Sequence, residues 1–430
     1  MKRKVVVTGL GAVTPSGIGV DAMWDSVVRG RSAIRVLEGS QFDELPVRIG
    51  GQISGFETEG LVSPGLARRL SPVQLWALAA ADEALAHAGL QPSPEAWAGD
   101  EDRVTIIAAT GSGPVDAMQA ATRALDERGP RAVPLSLAVY GAPDAAAALL
   151  AQRYGATGPA QGVSATCASG AVALGEALRR IRHGYADAAL VVGMEDCLGA
   201  VNLASNANLR SLAVGYESHP AEASRPFDRA RAGFVMSQGA SAILLESEER
   251  ARARGAVPLA ELAGFGASSD AYHATAPDPE ARGASRAIEL SLADAELAPS
   301  AIDHVNLHGT GTLAGDAAEI VALRRTLGER AESVPLTATK SSTGHLLGAA
   351  GVVEGVIAVL SLAKGRIPPT MNLADPEFPE LDFVSGTARE VGLGTVLSTS
   401  FGFGGHNGAL VFQASADGRH KLPGSKEEDR

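Results

Sequence analysis

Cysteine is almost absent: the 430 residues contain two. Two thiols cannot build a disulfide framework and fall short of a zinc cluster, so the chain reads as a protein of a reducing compartment that needs no metal. Positive charge is also short, with 37 Lys and Arg against 49 Asp and Glu and a net charge of −12. That balance excludes nucleic acid as the main partner, because phosphate binding needs a basic surface. Apolar runs such as Ala188 to Met194 are far shorter than the roughly 20 residues of a membrane helix, and "MKRKVVVTGLG" has no signal-peptide cleavage pattern. The expectation is a cytoplasmic protein that meets no membrane. Aromatic residues make up 4% while glycine numbers 50, which points to close backbone packing rather than a core of large rings.

What remains is ordinary for a large globular chain, with 45% hydrophobic and 20% charged residues. Apolar, β-branched runs alternate with helical patterns: "KVVVTGLGAV", "RVTIIAATGSG", "AALVVGME" and "SAILLE" early, then "HVNLHGTGT", "VPLTATKSS", "TVLSTSFGFGG" and "ALVFQ". Strands separated by helices predict parallel sheets covered on both faces. Ser71-Pro72 reads as an N-cap and first helical residue, opening a helix that ends before Gly89. The segment Ala251 to Pro258 is the candidate boundary between a half covering 1–255 and a half covering 256–416. The polar tail 417–430 has no apolar period and is expected to be disordered.

Four stretches carry chemistry. In "SATCASGAVALGEALRRIRHG", Ser164 to Gly184, Cys167 falls between an apolar strand and a helix, where helix dipole and free N–H groups favour a thiolate; a small buried hydrophobe is the alternative. In "NLHGTGTLAGDAAE", Asn306 to Glu319, His308 precedes Thr310 and Thr312, whose hydroxyls suit an amide-bearing substrate arm, while Asp316 and Glu319 share one helix face. A satisfied structural histidine fits this stretch equally well. In "TKSSTGHLLGAAGVVEG", Lys340 lies five residues before His345, with Glu354 on the following helix. A neutral imidazole there, donating through Nε2 and oriented by a lysine or carboxylate, would stabilise a developing enolate; a helix cap of small residues is the alternative. In "SFGFGGHN", Ser400 to Asn407, glycines free backbone N–H groups for an oxyanion, and phenylalanine can gate. The phosphate-loop pattern is absent, and "TGLGAVTPSG" lacks the third glycine of a dinucleotide turn.

Taken in order, the cysteine turn, "HGTGT", "STGHLLGAAG" and "GFGG", with "ASRPFDRARAGFV" and "SSDAYH", make the chain resemble the elongating, Cys-His-His type of β-ketoacyl-acyl-carrier-protein synthase. The resemblance covers nearly the whole chain. It implies the thiolase-type five-layered α-β-α-β-α fold of two related βαβαβαββ halves, each contributing one mixed sheet. It implies a decarboxylating ketosynthase in which Cys167 carries the acyl chain and His308 and His345 assist malonyl decarboxylation. The backbone N–H groups of Cys167 and Phe403 would form the oxyanion hole, with Phe403 as the gate. Lys340 would organise the charge network with Glu319, supported by Asp316 and Phe234. Thr310, Thr312 and Thr275 would contact substrate, Pro114 and Leu137 would line the acyl pocket, and Arg68 and Arg69 would meet the carrier protein. No tightly bound cofactor is implied, since 4′-phosphopantetheine arrives on the acyl carrier protein. The partner subunit is a second copy or a chain-length-factor-like homologue.

The sequence departs from the pattern at "LAVYGAPDAAAA" from Leu137, at Pro114, at Gln238 and at Thr399, where asparagine is usual. These departures favour a polyketide or other specialised pathway over primary fatty-acid synthesis. A non-catalytic subunit of a heterodimer is the alternative, disfavoured by the full catalytic set. A thiolase is remote, because its second cysteine near the C-terminal end is missing from "GFGGHN".

Overall fold

The computed structural model describes residues 2–415; the tail 417–430 lies outside the described residues. The strands of the first half are β1 (Val5–Thr14), β2 (Val104–Ala109), β3 (Ala160–Val163), β4 (Ala188–Asp196) and β5 (Gln238–Ser247). Those of the second are β6 (Ala260–Ser269), β7 (His304–Asn306), β8 (Leu336–Thr337), β9 (Thr395–Gly402) and β10 (His406–Ala414). The first set is ordered β3-β2-β4-β5-β1 and the second β8-β7-β9-β10-β6, with the first two pairings parallel and the last two antiparallel in each. The same order and direction occur twice, so the two halves share one strand topology.

Six helices build the other layers: α1 (Pro72–His87), α2 (Ala145–Tyr154), α3 (Ser169–Arg182), α4 (Arg282–Ala295), α5 (Leu313–Leu327) and α6 (Ala350–Lys364). Helices α1 and α2 bury Val73, Leu78, Leu85 and Leu150 against one face of the first sheet. Helices α4 and α5 bury Ile288, Leu292, Ile320 and Leu323 against the second. Between the sheets, α3 and α6 share a core with both, through Leu174, Leu178, Val353 and Ile357. The result is the thiolase-type five-layer arrangement. The sheets are not wholly separate, however: β1 and β6 pair at Val6–Glu261 and Val7–Ala260, so one hydrogen-bonded sheet of eleven strands runs through both halves.

Local signals explain the elements. Helix α1 starts where Ser71 donates its backbone N–H to the Gln74 side chain at 3.1 Å and Pro72 opens the first turn. The central helices meet where Gly170 leaves no side chain: a Cβ there would sit 2.6 Å from the backbone nitrogen of Val352. One sequence expectation is corrected here. The segment Leu347–Lys364 is 18 residues long with mean hydropathy 1.7, long and apolar enough for a membrane span. It is 83% buried, and its apolarity on all sides reflects a helix enclosed between two sheets.

Candidate active site

Cys167 lies between β3 and α3, with Thr166 at φ 48° turning the chain sharply just before it. The thiol is nearly buried, at 7% exposure. Against it lies the β9–β10 turn, where a Cβ on Gly402 would meet the backbone nitrogen of Cys167 at 3.0 Å and the Thr166 hydroxyl oxygen closer still. The Thr166 hydroxyl donates to the Phe403 carbonyl at 2.9 Å, fixing that turn. Burial pushes the thiol up to about 11, outweighing the Lys340 charge and the backbone N–H groups of Phe403 and Cys167 that favour the thiolate. The sequence expectation of a helix-stabilised thiolate is therefore corrected: desolvation dominates. Alkylation of Cys167 by iodoacetamide should accelerate about tenfold per pH unit without levelling near the ordinary cysteine pKa of about 8.5. A plateau at or below that value would contradict a thiol held protonated by burial.

His308 follows β7 and His345 precedes α6, and their rings meet edge to face with centroids 5.4 Å apart. Burial pushes both imidazoles well below their usual value, with the Lys340 charge acting in the same direction, so both are neutral. The Leu347 N–H donates to His345 Nδ1 at 3.3 Å, which leaves the His345 proton on Nε2. The orienting group is thus a backbone amide, in place of the expected lysine or carboxylate. For His308, Lys340 Nζ stands 3.4 Å from Nδ1 and donates to the His308 carbonyl at 2.6 Å, again favouring a proton on Nε2.

Lys340 is buried and ion-paired with Glu354, and its charge also acts on Glu319. Burial pushes the Glu354 carboxyl up to about 7, with the Lys340 charge opposing it. Glu319 accepts the backbone N–H groups of His308 and Gly309, each at 2.8 Å. Thr399 joins that network: its hydroxyl donates to Glu319 at 2.6 Å and accepts the His308 N–H at 3.1 Å. Thr399→Val should destabilise the fold by about 1–3 kcal/mol and slow any reaction through His308 severalfold, with Thr399→Ser restoring both. Unchanged stability and rate in the valine variant would contradict this role. Asp316 accepts the N–H groups of Phe227 at 2.8 Å and Gly311 at 3.1 Å, and braces the loop after His308.

A cavity of about 380 Å³ joins these groups, lined by Cys167, Phe234, Thr275, His308, Thr310, Thr312, Glu319, His345, Phe401 and Phe403 among others. The Phe234 ring lies 5.4 Å from His345 and 6.5 Å from Phe403, centroid to centroid. The Thr310 and Thr312 hydroxyls are 3.1 Å apart. Pro114 and Leu137 do not line this cavity of the single chain: Pro114 precedes the helix Val115–Arg128, and Leu137 sits half-buried on the short helix Leu135–Tyr140. Arg68 and Arg69 are exposed at the end of the helix Pro64–Ala67, also away from the cavity walls. Phe401, which shares the gate loop with Phe403, places its ring 5.9 Å from His308, and the buried Glu195 had no role in the sequence reading.

A doubled α/β half that sets a protonated thiol from one repeat beside two neutral imidazoles from the other defines a thiolase-type condensing acyltransferase. Models of the beta-ketoacyl synthase N-terminal and C-terminal domains match residues 2–251 and 259–374. The chain belongs to the β-ketoacyl synthase family and is an acyltransferase of its 3-oxoacyl-acyl-carrier-protein synthase type. It is 39% identical to 3-oxoacyl-[acyl-carrier-protein] synthase 2 of Vibrio harveyi over 97% of this chain and 100% of that one. It is 37% identical to the protein of the same name from Synechocystis over 96% and 98%. Among solved structures, a type II polyketide acyl-carrier protein in complex with its ketosynthase bound to the hexaketide aligns with TM-score 0.88 and 31% identity, over 96% of this chain and 100% of that one. The ishigamide ketosynthase/chain length factor aligns with TM-score 0.88 and 29% identity, over 97% and 100%.

Proposed function

We propose that Cys167 takes an acyl group from an acyl-carrier thioester and condenses it with a carbanion made by decarboxylating a malonyl-carrier thioester. The observation that carries this reading is one cavity walled by Cys167, His308 and His345 together. The thiol loses its proton only as the incoming thioester carbon is attacked, and that proton goes to the departing carrier thiolate. The carrier's thiol leaves. Loss of carbon dioxide from the malonyl thioester leaves an enolate, whose oxygen is met by the Nε2 protons of His308 and His345. The enolate carbon then attacks the acyl-cysteine carbonyl, whose oxygen faces the N–H groups of Cys167 and Phe403, and the Cys167 thiolate departs.

The remaining residues have supporting places in the same reading. Lys340 and Glu354 hold the His308 loop, Glu319 and Asp316 fix its backbone, and Phe234 and Phe403 flank His345. Thr310, Thr312 and Thr275 meet the 4′-phosphopantetheine arm, which the carrier protein brings; Arg68 and Arg69 meet the carrier itself. The halves 1–255 and 256–416 supply the nucleophile and the histidines respectively. The enzyme works in the cytoplasm, which suits two unpaired cysteines. It pairs with a second copy of itself or with a chain-length-factor-like homologue, the latter favoured by the ketosynthase/chain length factor among its structural neighbours.

The test is to mix the purified chain with acyl- and malonyl-carrier thioesters and follow the carrier-bound product by mass. Each turnover should release one carbon dioxide and lengthen the acyl chain by two carbons as a β-ketoacyl thioester. Acyl transfer without chain lengthening, with or without a homologous partner subunit, would overturn the reading.

A further inference from the structure

The buried carboxylate of Glu195, at the end of β4, is not needed for any step above, yet it joins the two sides of the site. Four donors converge on it. Oε1 accepts the Ser112 N–H at 3.0 Å and the Thr110 hydroxyl at 3.1 Å; Oε2 accepts the Gly111 N–H at 2.5 Å and the Gly348 N–H at 3.0 Å. Burial pushes its carboxyl up to about 7, so desolvation works against the charge while all four partners favour it.

Each donor belongs to a turn that adjoins a reacting group. On one side, Thr110 donates its N–H to Val163 at 3.1 Å, and the Ser164 hydroxyl reaches the Gly111 carbonyl at 3.4 Å, so the 110–112 turn grips the chain entering Cys167. The Ser169 hydroxyl, two residues beyond Cys167, accepts the Ala165 N–H at 2.8 Å and lies 3.3 Å from the Thr110 carbonyl. On the other side, Gly348 follows Leu347, the residue whose N–H fixes the tautomer of His345, and Leu347 holds φ 44°. The nucleophile turn belongs to the first repeat and the histidine turn to the second.

We infer that Glu195 is a positioning residue that sets Cys167 and His345 in one register by clamping the 110–112 turn and the 347–348 turn on a single carboxylate. The inference rests on the assignment of Cys167 and His345 proposed above. Three of the four partners are backbone N–H groups, which only donate, with at least one on each carboxylate oxygen, so glutamine would turn its amide NH₂ against a donor in either orientation.

The experiment compares wild type with Glu195→Gln in two separate half-reactions: acyl loading of Cys167 by intact mass, and carbon dioxide release from malonyl-carrier thioester without an acyl donor. Both rates should fall by at least about tenfold, with KM for each carrier thioester unchanged within about twofold. Loss in one half-reaction only, loss in neither, or a rise in KM at constant kcat would overturn the clamp. Should Glu195→Gln not fold, Thr110→Val removes one donor of the four. A severalfold slowing of both half-reactions then supports the clamp, and slowing of fewer than both overturns it. Failure of the wild type in either half-reaction would strike the proposed function itself, which separates the two outcomes.

Discussion

Cys167→Ala should lower condensation by at least about 10³-fold, since loss of a covalent nucleophile removes the path and leaves only residual binding and electrostatic catalysis. Carbon dioxide release from a malonyl thioester should persist in the same variant. The two imidazoles, their Nε2 protons and the Lys340–Glu354 pair depend on contacts that do not involve the sulfur. The methyl group of alanine also leaves room in a cavity of about 380 Å³. Measuring carbon dioxide and β-ketoacyl product side by side checks this: equal loss of both would mean that the thiol is needed for decarboxylation, contrary to the division of labour proposed.

The second large effect is at the buried ion pair. Lys340→Met should destabilise the fold by about 3–5 kcal/mol, because it leaves Glu354 buried without its cation. The Lys340 and Glu354 side chains are 2% and 3% exposed, and the Lys340 ammonium also supports the His308 carbonyl at 2.6 Å. Decarboxylation should fall with it. Removing both charges in Lys340→Met/Glu354→Leu should recover most of the stability and none of the activity, since the double variant cures the unpaired charge but does not restore the grip on His308. Denaturant unfolding alongside carbon dioxide release makes the comparison. A single variant as stable as wild type would show that the pair is solvated and not the buried brace described.

Residue type and local pattern marked Cys167, His308 and His345 only as candidates beside bland alternatives; the order of the motifs, through the family resemblance, singled them out. Cys167, His308 and Phe403 each follow a strand and His345 follows the short helix Lys340–Thr343, and the structure brings all four to one cavity. The repeated strand order was only hinted at, because strand order is set by crossovers that one-dimensional periodicity does not carry. The carboxylates were the hardest to read. Glu354 meets Lys340 fourteen positions away, and Glu195 meets Gly348 across 153; no local pattern marks either pairing. Glu319 was legible as a helix-face residue, while its hydrogen bonds to the backbone N–H groups of His308 and Gly309 were not. The same limit explains Leu347–Lys364: its apolarity is visible in the sequence, while the two sheets that enclose it are not. Pro114 and Leu137 were placed by resemblance alone, and in this chain they lie off the cavity.

The central claim is that Cys167 is the acyl-carrying nucleophile of this cavity, and intact-protein mass spectrometry with a panel of acyl-carrier thioesters tests it most directly. The account predicts one acyl mass added per chain, confined to the peptide that holds Cys167 and missing in Cys167→Ala. An acyl group found on Cys197 or elsewhere, or retained in full by the alanine variant, would contradict it.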